Sequence, residues 1–326
     1  MNVVIGTYGC FIGKRGKRLM IKTRSMKKEI PLVKVNNLFI ETKGVSLSSD
    51  LISELEKVRA NVVFFKNQKP FAFISYFYPQ DTRVLKAQLM LDEANKLVLA
   101  KDIVMGKLQN QLAVLKSLRK SSMISKLTLA KAKEIFEDCI FKLREITWLE
   151  KSDIFSAEAR FASVYWQTIA SVIPHEYNFN TRIKRPATDC INAALNYGYG
   201  ILSAYVLSSL VKASLHVQIG LLHADAPNRN SLVFDVMEPF RPFVDRKIIT
   251  LFTKRMFYKD RDFDEKTLLL SQGGREKVIE RMRKLEKETV KYAGKERSFL
   301  SAMQIFCYRI KDFVLGKRAK VEVPKL

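Results

Sequence analysis

The hydrophobic pattern of this chain of 326 residues changes abruptly after Pro79, and this change restricts the folds that the chain can adopt. Before Pro79, short runs rich in Val, Ile and Phe alternate with Gly, Lys and Asn, which is typical of strands separated by turns. Only Ser48–Val58 shows helical spacing, behind a Ser/Asp cap. The basic stretch Gly13–Arg18 is predicted to be a hairpin turn, since it lacks the Lys-Ser/Thr ending of a phosphate-binding loop.

After Pro79, apolar residues recur at helical spacing almost to the end of the chain. The sequence therefore predicts an α+β fold, with a small β domain over residues 1–80 and a larger all-α domain over residues 81–326. The basic ending GKRAKVEVPKL is expected to be a disordered tail from about residue 316. The predicted helices are Asp81–Arg119 (one or two helices), Leu127–Thr147, a segment that contains Glu158 and ends before Pro174, Pro186–Ser214, Ser231–Arg255, Gly274–Tyr292 and Glu296–Leu315.

The charge of the chain indicates a polyanionic partner. There are 57 Lys and Arg residues against 33 Asp and Glu residues, which gives a net charge of +24. So large an excess repels itself unless a partner neutralises it, and phosphates do so with release of counterions. The charge therefore predicts a partner that carries many phosphates.

The cysteines and the apolar runs indicate a cytoplasmic protein with no membrane partner. Four cysteines are scattered without a Cys-x-x-Cys spacing, which favours neither a zinc site nor a disulfide framework. The chain starts without the basic and apolar regions of a secretory signal. Cys190–Val211 lacks charges and is long enough to span a membrane. Its several Asn, Tyr and Ser residues instead favour a buried helix of a globular domain.

The segment Gly220–Arg246 contains a candidate metal site. His223 precedes a polar loop, and the helix predicted after it carries Asp235 and Glu238 three residues apart. Residues at this spacing share a helix face, so both carboxylates can point to one spot that the loop brings near His223. One imidazole with carboxylate oxygens suits Mn²⁺ or Mg²⁺. Either Asp235 or Glu238 can supply the third metal ligand.

Three ordered segments carry a resemblance to a known family. They are Ser156–Trp166 (SAEARFASVYW), which contains Glu158, then Arg182–Leu202 (RIKRPATDCINAALNYGYGIL), then the segment from His223 to Arg246 with its motif S-L-V-x-D-x-M-E-P-F-R-P-x-V-D. Their order and spacing resemble CRISPR-associated protein one, the nuclease and integrase of spacer acquisition.

This resemblance assigns roles to individual residues. It implies that Glu158, His223 and Glu238 bind Mg²⁺ or Mn²⁺, and that Asp235 serves catalysis by holding a metal-bound water or a second ion. Arg241 shares a face with Glu238 and either contacts DNA or neutralises these acids. His175 and His216 fit no ligand spacing and are expected to be structural. The other candidate DNA contacts are Arg182, Lys184 and Arg185 in a loop, and Tyr165 and Tyr199, for which a core position is equally compatible.

The function that the resemblance implies is insertion of short DNA fragments into a CRISPR array, by attack of a 3′-hydroxyl on a phosphodiester. It also implies binding of duplex and branched DNA, a homodimer formed through residues 1–80 and a complex with CRISPR-associated protein two. Two other functions use the same features: a structure-specific nuclease acting on branched repair intermediates, and a non-catalytic nucleic-acid-binding protein. The nuclease forms no strand-transfer product, and the binding protein does not need its carboxylates.

Overall fold

The computed structural model describes residues 1–66, 69–74, 81–146, 148–183, 186–223 and 229–326. The chain divides into two compact units, Met1–Pro79 and Gln80–Leu326. Strands dominate the first unit and helices the second, so the predicted α+β class is confirmed.

The first unit contains two four-stranded sheets. One has the order β1-β5-β7-β8, in which β8 alone runs antiparallel to its neighbour, and the other has the order β4-β3-β2-β6. The hairpin predicted at Gly13–Arg18 is present and joins β2 to β3. The elements are β1 (Asn2–Ile5), β2 (Phe11–Arg15), β3 (Arg18–Lys22), β4 (Lys27–Pro31), β5 (Asn37–Ile40), β6 (Ser46–Leu47), α1 (Ser49–Lys57), β7 (Asn61–Lys66) and β8 (Lys69–Ile74).

Alternation of apolar and polar residues explains how these strands bury a common core. In β3, Leu19 and Ile21 are buried, whereas Arg18 and Lys22 are exposed, as the two faces of a strand require. The helix α1 begins behind Ser48, whose hydroxyl accepts a hydrogen bond from the backbone N–H of Leu51. Aliphatic side chains from both sheets and from α1 form one apolar cluster.

In its described residues, the second unit consists of helices and one small hairpin. Its long central helix α6 is buried along most of its length, which explains why it carries no charge between Asp189 and Lys212. No helix among the described residues is long and apolar enough to cross a membrane. The elements are α2 (Thr82–Leu89), α3 (Glu93–Lys120), α4 (Lys126–Glu145), α5 (Lys151–Ala170), α6 (Cys190–Lys212), α7 (Ser231–Met237), α8 (Arg241–Thr253), α9 (Lys259–Asp262), α10 (Gln272–Glu286), β9 (Thr289–Tyr292), β10 (Lys295–Ser298) and α11 (Phe299–Val314).

The hairpin β9–β10 departs from the sequence prediction, which placed β9 and all of β10 except Lys295 in two helices. Its two turn residues, Ala293 and Gly294, both have positive φ angles, of 54° and 73°. Tight hairpin turns of this kind favour positive φ at both central residues. Val290 and Tyr292 alternate with exposed residues along β9, but four residues are too short a stretch for this alternation to stand out.

The prediction of a disordered tail from about residue 316 is wrong. Val321 and Val323 are buried, and the side chain of Asn110 on α3 makes two hydrogen bonds of 2.9 Å to the backbone of the final residues. Gly106 permits the close approach, since a Cβ atom there would lie 2.5 Å from Val323. The two valines supply apolar surface that the flanking lysines conceal in the sequence.

Candidate functional site

The candidate site lies in the second unit, where α3 and α5 pack together and a short 3₁₀ turn packs on α3. The turn, Glu238–Phe240, separates α7 from α8. Pro239 and Pro242 cause this break in the predicted helix Ser231–Arg255, because each lacks the N–H that a continuous α-helix would use at its position. Asn110 on α3 donates a 2.9 Å hydrogen bond to the carbonyl oxygen of Pro239 and thereby holds the turn.

Lys107 on α3 joins two of the predicted ligands. Its ammonium group forms an ion pair with Oε1 of Glu158 on α5 and another, at 2.6 Å, with Oε2 of Glu238. The other oxygen of Glu238 lies 3.0 Å from Nη1 of Arg241. Lys107 is 7% exposed and Glu238 5%. Two carboxylates from different elements therefore meet around one buried positive charge.

The charges around Glu238 keep it ionised. Burial alone would raise the pKa of its carboxyl group, but the nearby charges of Arg241 and Lys107 lower that pKa to about 2. His223 is held beside the same segment by Asp235, which lies on α7 three residues before Glu238. The predicted trio Glu158, His223 and Glu238 thus belongs to one region of the molecule. No set of three or more His, Cys, Asp or Glu side chains in the described part of the chain is arranged as a metal-ion ligand sphere.

Asp235 orients His223. Its Oδ1 lies 2.6 Å from Nδ1 of His223, and its oxygens also accept hydrogen bonds from the backbone N–H groups of Leu221, Leu222 and His223. When Nδ1 carries the proton, Nε2 is the ring nitrogen that remains available to a ligand. Gly220 permits this loop, since a Cβ atom there would lie 2.5 Å from the carbonyl oxygen of His223.

The expectation that Asp235 and Glu238 point to one spot is not met. Asp235 is 1% exposed and directs its oxygens at the loop before residue 224, whereas Glu238 pairs with Lys107 and Arg241. The short aspartate side chain is fully used by donors from that loop. Asp235 therefore contacts the candidate site through His223.

Two of the residues predicted to contact DNA share a hydrogen-bond network around Asp245. Tyr165 has no exposed surface and donates to Asp245, and Tyr199 donates to the other oxygen of that carboxylate. The guanidinium groups of Arg182 and Arg241 lie 5.2 and 5.1 Å from the centroid of the Tyr199 ring. The prediction of DNA contact is wrong for Tyr165 in this conformation, because its neighbours cover it.

Arg182 and Arg241 also have partners within the protein. Arg182 donates to the side-chain oxygens of Asn192 and Asn196 on α6, at 2.8 and 2.6 Å. Arg241 pairs with Glu238, which is the neutralising role that the sequence left open for it. Lys184 and Arg185 lie outside the described residues. His175 begins a short 3₁₀ helix, and His216 is held through its backbone by Gln88.

The sequence prediction did not include Lys107 or Asp245. Lys107 is the only charged residue between Asp102 and Lys116 on a helix that is otherwise apolar or amide-bearing there. A lone charge inside a buried stretch requires a partner, and this signal could have identified it. Asp245 carries no such signal, because Arg246 and Lys247 follow it directly and make it part of a charged run.

Comparison with known proteins identifies the family of this architecture. The model of the family CRISPR associated protein Cas1 matches residues 3–284. A CRISPR-associated endonuclease Cas1 of Francisella tularensis subsp. novicida is 30% identical over 283 residues, covering 83% of this chain and 85% of the relative. Another, of Archaeoglobus fulgidus, is 29% identical over 339 residues, covering 98% and 97%.

Solved structures show the same fold. A casposase bound to integration product superposes with a TM-score of 0.85 at 24% identity, covering 98% of this chain and 92% of that protein. A chain of a Cas6–RT–Cas1–Cas2 complex superposes with a TM-score of 0.75 at 19% identity, covering 99% of this chain and 36% of that one. The chain described here belongs to the CRISPR associated protein Cas1 family.

Proposed function

We propose that this protein is a metal-dependent DNA endonuclease and integrase that inserts short DNA fragments into a CRISPR array. The observation that carries the proposal is the meeting of Glu158 and Glu238 around one buried cation, with His223 oriented by Asp235, three residues before Glu238. Curated relatives named endonucleases, and the fold shared with a casposase bound to integration product, support the same activity.

Glu158, His223 and Glu238 are the residues that would hold Mg²⁺ or Mn²⁺. The chemistry of the donor set fits, since it has two carboxylates and one imidazole. The three side chains are not gathered as a ligand sphere among the described residues, where the ammonium group of Lys107 lies against both carboxylates in the place of a metal ion. A bound divalent cation would polarise a phosphoryl oxygen and stabilise the charge that develops during attack. Asp235 orients the imidazole, and Arg241 helps to keep Glu238 ionised.

The proposed partners follow from charge and family. The net charge of +24 favours binding of duplex and branched DNA through phosphate contacts. Homodimer formation through the first unit would cover strand edges that otherwise expose unpaired backbone groups, and light scattering of the intact chain measures it. Cas2 is the proposed protein partner, since a solved relative is a Cas1–Cas2 assembly.

A strand-transfer assay tests the activity, with a labelled fragment that carries a free 3′-hydroxyl and a repeat-bearing plasmid. Glu158→Ala and His223→Ala should each lower the rate by on the order of 10²–10³ or more, because each removes a ligand of the ion that stabilises transition-state charge. Asp235→Ala should lower it less, because Asp235 acts through His223. Binding of the same DNA should persist, since the basic residues remain.

Glu134→Ala is the matched control, because Glu134 is an exposed glutamate on α4 next to α5. It should retain wild-type activity. Full activity in Glu158→Ala would refute the assigned site, and loss of folding in His223→Ala, measured by circular dichroism, would favour a core role for the histidine. Cleavage of branched DNA without any joined product would favour a structure-specific nuclease.

A further inference from the structure

We propose that Lys107 competes with the divalent cation for the carboxylates of Glu158 and Glu238 and thereby sets the metal affinity of the site. The inference rests on the proposed function, because it concerns the same three acidic and imidazole ligands. On this proposal, the ammonium group of Lys107 on α3 leaves the carboxylates when the metal ion binds to them.

The contacts of Glu238 identify Lys107 as the competitor. Each carboxylate oxygen of Glu238 faces a resident cation, with Oε1 at 3.0 Å from Arg241 and Oε2 at 2.6 Å from Lys107. A metal ion that binds Glu238 must therefore displace or crowd one of these groups. Displacement of Arg241 frees one carboxylate oxygen only, whereas displacement of Lys107 frees Glu238 and Glu158 together.

The surroundings of Arg241 and Lys107 also indicate that Lys107 is the group that a metal ion displaces. Arg241 stacks on the ring of Tyr199, which is itself held by Asp245, so its guanidinium is fixed from two sides. Lys107 is held at its ammonium group by the two carboxylates, and the structure gives it no other ion pair among the described residues. Glu158 and His223 are the more exposed predicted ligands, with about a quarter of each side chain accessible, and form the side from which an ion can enter.

Repulsion between the ammonium group of Lys107 and a metal ion should weaken metal binding. An ammonium and a divalent cation cannot both lie against the same carboxylate oxygens without strong repulsion in a buried setting. Binding of the metal therefore includes the cost of moving Lys107 away from its partners. Removal of the ammonium group abolishes that cost, so a neutral side chain at position 107 should make metal binding tighter.

The experiment measures Mn²⁺ binding to the purified full chain without DNA, by the electron paramagnetic resonance signal of free Mn²⁺. Lys107→Met keeps the length and apolar stem of the side chain and should lower the Kd for Mn²⁺ by about tenfold or more. Lys277→Met is the matched control, because it removes a lysine that pairs with a buried aspartate (Asp262, 2.6 Å) elsewhere in the unit. This control should leave the Kd unchanged.

Lys107→Gln, a polar neutral variant, replaces Lys107→Met if the latter fails to fold by circular dichroism, and the same decrease in Kd is expected. An unchanged or increased Kd in the folded variant overturns the proposal while leaving the metal site intact. Glu158→Gln distinguishes the two hypotheses, since it should abolish binding. Absence of Mn²⁺ binding in the wild-type protein, indistinguishable from Glu158→Gln, overturns the metal site itself and the competition with it.

Discussion

Glu238 and Asp245 are buried carboxyl groups on neighbouring elements, and they are stabilised in opposite ways. Glu238 faces two cations, which lower its pKa to about 2. Asp245 faces two tyrosine hydroxyl groups, and burial raises its pKa to about 6 although Tyr199, Tyr165 and two arginines lower it. Direct ion pairs compensate for the loss of hydration of a carboxylate more fully than neutral donors do.

Glu238 is suited to binding a cation, whereas Asp245 has a structural role. The carboxylate of Glu238 is ionised at every physiological pH and is surrounded by positive charge, as a ligand for cations requires. Asp245 instead anchors Tyr165 on α5 and Tyr199 on α6, and through the Tyr199 ring it positions Arg241. The two carboxyl groups are therefore connected through Arg241, which contacts both Glu238 and Tyr199.

The largest expected effect is on catalysis at Glu238. Glu238→Gln keeps the shape of the side chain but removes its charge, so strand transfer should fall by on the order of 10²–10³. Asp245→Asn, the matched change in the structural site, should cost far less activity, because Asp245 reaches the site only through Tyr199 and Arg241. Parallel initial rates in the strand-transfer assay measure both. Equal losses of strand-transfer rate in Glu238→Gln and Asp245→Asn would contradict the different roles assigned to the two carboxyl groups.

The second-largest effect is expected on the pH dependence of stability, through Asp245. The pKa of Asp245 is about 6 in the folded protein against an ordinary value of 3.8. The folded state therefore binds more protons between these values, and the free energy of unfolding falls as pH rises through this window. The fall amounts to roughly 3 kcal/mol for a shift of this size. Above the folded pKa the full cost of an ionised buried carboxylate remains.

Asp245→Asn should remove this contribution, which urea unfolding followed by circular dichroism can measure between about pH 4 and about pH 7. The slope of stability against pH is the readout, because the amide also changes the hydrogen bonds with the two tyrosines. Glu238 has its lowered pKa near 2, so its stabilising contribution is lost only as the pH falls below its ordinary value of 4.5. A slope in Asp245→Asn identical to that of the wild type would contradict the raised pKa.

The smallest effect is expected at Tyr165. Tyr165→Phe removes one of the two hydroxyl groups that donate to Asp245 and leaves a buried carboxylate oxygen without that donor. The free energy of unfolding at neutral pH should fall by about 1–3 kcal/mol. The cost should shrink at low pH, where Asp245 is protonated. Urea unfolding of this variant at both pH values provides the measurement, and a cost independent of pH would argue against the bond to an ionised Asp245.

Elements specified by local sequence could be predicted, whereas those that depend on distant contacts could not. Long periodic helices such as α3 and α4, and the hairpin at Gly13–Arg18, were predictable because local spacing and turn residues specify them. The hairpin β9–β10 and the packed final residues were not, because each depends on apolar contacts with segments distant in the chain. Two buried valines among lysines are a weak local signal.

The sequence by itself determined the fold class, the positive charge and the family, since the motifs around Glu158, His223 and Glu238 are local patterns that can be read without a structure. Only the tertiary structure decided which groups meet. It brought Lys107 from α3 between two carboxylates, directed Asp235 to His223 and enclosed Tyr165 beside Asp245. The packing of helices that are distant in sequence determines which partner a buried charge meets. Helical periodicity cannot give this partner, because it shows only which face of a helix is buried.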